Sequence, residues 1–429
     1  MKTSINTKLC LMGLLNLSAL CLMAQPSRTA VHSSIIKTLK VTVAGEPLSG
    51  HPFIALDGGK RIEITFDALE QSFSRLAYTV EHCDAYWNPS RLSTVEYLDG
   101  FQGLTLNDFA NSTATTTRYT NYRLTLPNDE VSLKLSGNYA VSIYRENEPQ
   151  RILLTACFSL VEPLVVISGE VTGNTLTDFN NEHQQVDFRL DCNNLPVTHP
   201  QTDLKIFVYQ NRRTDNAAID VKPTTILNGR VSYDRNRALI FEAGNEYRRI
   251  EFLSHTYNGM GVEDISFHNP FYHVTLQTDL SRARRAYSYD EDRDGRFLIR
   301  CSRCDDPDTE ADYDIVHFAL QAACLPGGDV YLQGDIHNNV LDEKSRMDYN
   351  HDAGAYEKAI LLKQGNYNYH YIFVPHGEGS GESSGQTPGQ TAAFEGDYYQ
   401  TENEYAVFVY YRPFGARYDR LVGLQQIRS

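Results

Sequence analysis

Five short stretches of this 429-residue chain carry residues whose types and spacing could do chemistry. Gly381-Glu-Ser383-Ser-Gly385 has the GxSxG spacing that, in hydrolases, holds a serine nucleophile in a strained strand-to-helix turn beside a histidine. Here it lies inside the Gly/Ser/Thr-rich segment 376–393, which reads as a flexible loop with no rigid element to pin a serine, so the match reads as chance. Cys301-Ser-Arg-Cys304 is half of a zinc-ligand pattern. No second CxxC or HxxxH completes it, and only His317 and Cys324 follow nearby. Asp290-Glu-Asp292-Arg-Asp294-Gly295 copies the first half of a calcium loop, but the twelfth position, where a bidentate Glu belongs, is Cys301. A hairpin turn at Asp294-Gly295, joining 286–289 to 296–300, accounts for the same residues without a metal. Arg212 and Arg213 could grip an anion, against the plainer reading of a solvated turn. Trp87 with Tyr86 and Tyr97 could form an aromatic ligand platform, against core or rim packing. No HExxH, P-loop or dinucleotide fingerprint is present. The chain therefore reads as non-enzymatic, with no catalytic residue, no cofactor-binding residue and no metal ligand.

The elements that would position these residues are strands. Residues 183–216 hold two runs of period two, Val186/Phe188/Leu190 and Leu204/Ile206/Val208, flanking a loop with Asn193, Asn194, Pro196 and Pro200. Period two with turn residues between predicts an antiparallel core hairpin. Before it, 35–45, 61–69, 75–84, 121–128 and 137–146 alternate in the same way. After it come 165–171, 238–244, 247–255 and 271–279, then 314–320, 329–336, 356–364, 366–375 and 405–413. Gln364-Gly365-Asn366 reads as a tight hairpin turn. The expectation is an all-β chain of tandem immunoglobulin-like or early-set β-sandwich domains: a signal peptide at 1–24, then domains at 25–161, 162–300 and 301–429.

Residues 1–24 carry Lys2 and Lys8, an apolar run from Leu9 to Leu22 and the small Ala24 before Gln25. This pattern predicts export with cleavage between Ala24 and Gln25. Lipidation of Cys21 is the alternative, opposed by Leu20, where a small residue belongs. No later stretch is apolar enough for a membrane span. Formal charge is −15, and loss of Lys2 and Lys8 makes it −17; such a surface repels nucleic acid and anionic lipid. Six cysteines survive cleavage: Cys83, Cys157, Cys192, Cys301, Cys304 and Cys324. Export permits disulfides among them, and buried free thiols are the other reading.

Four stretches, 136–144 (SGNYAVSIY), 162–171 (EPLVVISGEV), 183–216 and 410–423 (YYRPFGARYDRLVG), together resemble the plug protein family of the type IX secretion system over roughly 35–425. That resemblance implies a folded, monomeric periplasmic protein, held in a hetero-complex with the outer-membrane β-barrel translocon, whose pore it closes when no cargo is engaged. It implies no cofactor, and no residue is assigned to partner binding. Residues 334–339 (GDIHNN) and 361–374 resemble glycogen- and starch-binding early-set modules. Val340 stands where those modules carry a sugar-stacking aromatic, so the resemblance carries the fold; a glycan-binding sandwich protein is the alternative function.

Overall fold

The computed structural model describes residues 26–70, 74–227, 229–376 and 387–429. The expected signal peptide, its cleavage site at Ala24 and Gln25, Cys21 and Ser383 lie outside the described residues. The chain is an all-β assembly of sandwiches.

The first sandwich sets β1 (Ile36–Val43), β2 (Ile62–Ala68), β3 (Leu76–Cys83), β4 (Thr120–Leu126), β5 (Gly137–Arg145) and β6 (Ile152–Val161) in two sheets, ordered β1-β2-β4 and β6-β5-β3. Their inward residues, among them Ile62, Ile64, Phe66, Val80, Tyr139, Val141 and Phe158, form one core. β6 has no clean alternation in sequence, because both its faces are covered: Phe158 and Leu160 enter this core while Val161 packs toward the second sandwich. A strand buried on both faces reads as a continuous apolar run and not as period two.

The later strands that matter here are β7 (Val166–Thr172), β8 (His183–Asp191), β9 (Leu204–Gln210), β10 (Arg248–Phe252), β11 (Phe271–Leu276), β12 (Phe297–Ile299), β13 (Tyr313–Gln321), β14 (Gly328–Gln333), β15 (Ala355–Lys363), β16 (Gly365–Pro375), β17 (Glu404–Tyr411) and β18 (Arg420–Arg428). β8 and β9 do not form the expected hairpin. β8 pairs with β7, and β9 pairs with β17 from the far end of the chain, so the two lie in different sheets and meet across the core through Phe188, Leu190, Leu204, Ile206 and Val208. The alternation was the same in either case: it fixes which face points inward, not which strand lies alongside.

The same correction holds twice more. β15 pairs with β13 and β16 with β10, β12 and β14, so Gln364 carries the chain from one sheet to the other instead of closing a hairpin. Gly365 is required by that close crossing, since a Cβ there would stand 2.5 Å from the Leu298 carbonyl oxygen. At Asp294-Gly295 a tight turn does form, with φ of +50° and +81° and an Arg296 N–H bond to the Arg293 carbonyl of 3.1 Å. β12 then pairs with β16 and not with 286–289.

Sheets and cores cut across the expected spans 162–300 and 301–429. The second core joins Val165, Phe188 and Phe241 to Tyr405, Val407 and Ile427, whereas Ile250, Phe252, Val274 and Leu276 belong to the third core with Val316, Leu332 and Tyr371. We propose units of 26–161, 162–245 with 404–429, and 246–397, the last two strands returning to complete the middle sandwich. Residues 387–393, expected to belong to a flexible loop with 376–386, are instead built in. Gly389 donates to Asp215 and accepts from Arg213, Phe373 and Gln390 exchange both backbone bonds, and Thr391 is buried.

Candidate functional site

Three junctions join the sandwiches, and each includes a buried acidic or basic side chain. Between the first and third, β2 presents Asp67, wholly buried, to Lys363 Nζ at the end of β15, 2.7 Å away and itself buried. Tyr313 OH donates to the same carboxylate at 2.7 Å and Asn121 Nδ2 at 2.8 Å, so each of its oxygens has a protein donor. Lys363 also donates to the Asp308 carbonyl at 2.7 Å and stands 4.1 Å from the centre of the Tyr119 ring. Beside it Asp312 accepts from the backbone of Thr116 and Thr117 and from the Thr116 hydroxyl, and Arg123 pairs with Asp308 at 2.9 Å. A low-dielectric setting strengthens such bonds and penalises any partner left alone.

Between the first and second sandwiches, Asp419 accepts from the Ala85 N–H at 3.0 Å and from Lys205 at 2.9 Å; Glu162 pairs with Arg420. An apolar cluster of Val161, Ala85, Phe207, Phe408 and Leu421 fills the space between. The second and third are joined through Arg213, which grips Asp215 with two bonds of 3.1 and 2.6 Å and reaches the Gly389 carbonyl. Within the third sandwich, Glu395 accepts from Arg248, Arg282 and the Tyr371 N–H. Burial alone would raise that carboxyl, but the two guanidiniums hold it down to about 2.

Each stretch singled out by its chemistry has a definite place. Arg213 is buried and Arg212 half-buried, not in a solvated turn: Arg212 pairs with Asp335 of the third sandwich. Tyr86 is edge-on to Phe207, Tyr97 is buried with its hydroxyl on the Val80 carbonyl, and Trp87 packs against Cys83, Ala140 and Cys157. The three rings are thus spent on packing and make no open platform. Cys301 and Cys304 form a disulfide with each other, and His317 instead bonds His273 at 2.8 Å. Cys83, Cys157 and Cys192 are buried free thiols and Cys324 an exposed one; burial pushes the Cys83 thiol up to about 12. Asp290 pairs with Arg249, Asp292 accepts from the Tyr247 and Asp294 N–H groups, and Asp294 pairs with Arg296. Burial, and secondarily the charge of Asp294, lifts the Asp292 carboxyl to about 7. Val340 is buried in the joint between the first and third sandwiches, a site no sugar-stacking aromatic could serve from.

The surface offers isolated apolar side chains at loop tips: Val95 on the short helix α1 (Thr94–Tyr97), Phe101, and Phe414 in the β17–β18 connection, the last fully exposed. Arg417 in that connection pairs with Glu96 of α1, which holds the tip against the first sandwich. Among the described residues no helix is long and apolar enough to cross a membrane, and no three His, Cys, Asp or Glu converge as a metal-binding group.

Residues 36–162, the first sandwich, match the model of the type 9 secretion system plug protein first domain. The chain belongs to the type IX secretion plug family. Members of that family are secretion components and not catalysts. No curated protein matches the chain. A solved structure, a hypothetical protein from Parabacteroides merdae ATCC 43184, is 59% identical over 94% of this chain and 99% of its own, with a TM-score of 0.90. Sequence reasoning missed these residues: Asp67 is a charged residue in an apolar strand and Lys363 one at a strand end, whereas Asp419 lies in a loop and Glu395 in a turn. A charge interrupting an apolar run is the signal that marks the first two, since charged side chains are seldom fully buried unless paired.

Proposed function

We propose that this protein sits in the periplasm against the inner mouth of the type IX outer-membrane translocon and closes the pore until cargo engages it. The observation that carries this reading is the plug-family first domain, set in a body whose sandwiches are tied together by buried polar contacts, among them the Asp67–Lys363 pair. A stopper must keep its shape under thermal motion, and interfaces between domains of one chain move by default unless they are extensively fixed. The charge of −17 expected for the cleaved chain suits a polar, releasable contact better than a large apolar one, which could not be reversed. On this reading the barrel is the partner, the plug is a monomer bound in a hetero-complex, and the tip carrying Phe414 is the first place to look for the contact. Co-purification tests it: the exported protein should come down with an affinity-tagged translocon barrel in mild detergent. A barrel that brings down its other partners but none of this protein would reject the reading.

A further inference from the structure

Where the three sandwiches meet, a cavity of about 140 Å³ has Lys40, His51, Arg212, Arg296, Asp335 and Asn338 among its lining residues. Four cationic side chains line it, Arg28, Lys40, Arg212 and Arg296, beside one lining carboxylate, Asp335, which is already paired with Arg212. Asn339, one of two successive residues in left-handed backbone (Asn338 φ +53°, Asn339 φ +56°), fixes that carboxylate by donating to its Oδ1 at 2.9 Å. Arg296, whose side chain is only 7% exposed, spends its terminal nitrogens on Glu404 at 2.8 Å and Asp294 at 3.4 Å. Its Nε has no partner, nor has Arg212 Nε, nor His51 Nε2. His51 is neutral, its pKa driven down to about 3 by burial and then by the two guanidiniums. Lys40 makes no ion pair among the described residues; its ammonium lies 5.9 Å from the centre of the Phe297 ring. An unsatisfied buried donor costs about 1–3 kcal/mol, so the two guanidinium Nε–H groups beside one void call for a shared acceptor.

We propose that this cavity binds a small oxyanion, a phosphate or carboxylate group held by Lys40, Arg212 and Arg296, which fastens the first sandwich to the other two. Size limits the ligand: ordinary small-molecule pockets run to about 300–1,000 Å³, so a free phosphate or a small organic acid fits and a peptide or sugar chain does not. Planar guanidiniums match oxyanions through paired N–H bonds, and in a desolvated joint those bonds are at their strongest. The site is independent of the plugging role, since it would strengthen the body whatever the body closes.

The test is calorimetric titration of the folded mature protein, dialysed free of phosphate, with inorganic phosphate and separately with acetate, against sodium chloride of equal ionic strength. The expected result is one saturable site per chain, with the melting temperature rising by several degrees at saturation. Phosphate binding alone assigns a phosphate ligand, and acetate binding alone assigns a carboxylate. Lys40→Gln breaks no ion pair and should fold; it should weaken binding at least tenfold. Arg212→Gln should weaken it as far or further. No saturable heat from either anion, or undiminished affinity in a folded Lys40→Gln protein, overturns the proposal.

Discussion

Replacing Lys363 by Met should destabilise the protein by about 3 kcal/mol, and the structure gives the reasons for that figure. Removing one member of a buried ion pair costs about 3–5 kcal/mol, because the other charge is left in a medium that cannot solvate it. Asp67 keeps two donors, Tyr313 OH and Asn121 Nδ2, which hold the cost to the lower end of that range. The Lys363 contacts with the Asp308 carbonyl and the Tyr119 ring are lost as well, which keeps the figure from falling much below 3. At about 2 °C per kcal/mol for a protein larger than 150–250 residues, the melting temperature should drop by about 6 °C. Differential scanning calorimetry at pH 7 reads this directly. Asp67→Asn in the Lys363→Met background removes the stranded charge while keeping an oxygen for Tyr313, so it should recover most of the loss. A Lys363→Met protein that melts within 1 °C of wild type, or a double variant no better than the single, would refute the account of this joint.

The mature protein should expose one reactive thiol when folded (Cys324), four after unfolding and six after reduction, which a thiol titration counts. Asp292, lifted to about 7, binds its proton more tightly folded than unfolded; its ionisation should therefore cost stability as pH rises from about 4 to about 7. Asp292→Asn should flatten that part of the curve of melting temperature against pH. Glu395 works in the opposite sense. Held down to about 2, it contributes stability above the ordinary carboxylate range that is lost as pH falls from about 4.5 toward 2. Replacing 377–386 by a Gly-Asn turn should move the melting temperature by less than about 2 °C, whereas Arg213→Ala should cost about 3–5 kcal/mol by stranding Asp215. Chemical denaturation of both variants separates the two.

Strands were legible because alternation is a local property. Ile62/Ile64/Phe66 and Leu204/Ile206/Val208 each declared an inward face, and the structure puts both in cores. Neighbours were not legible, because a strand in a sandwich has the same pattern whether its successor lies beside it or across from it. Three expected hairpins failed on that point, at 192–202, at Gln364 and at 290–295. The return of β17 and β18 to the middle sandwich was invisible for the same reason: nothing in Val407 or Val409 says that the partner is Val208 or Ile206. Arg213 illustrates the other limit. An Arg-Arg pair between polar residues reads as solvated until the distant Asp335 carboxylate is brought to Arg212 and the Gly389 backbone to Arg213.

The central claim is that the protein closes a pore, and outer-membrane permeability tests it most directly. Deleting the gene should admit large antibiotics that the outer membrane excludes, while cargo secretion continues at least in part. Wild-type protein should restore the barrier. Phe188→Asp, which puts an unpaired charge against Tyr233 in the second core, should not. A deletion strain no more permeable than its parent, with the translocon barrel present at normal levels, would contradict the account.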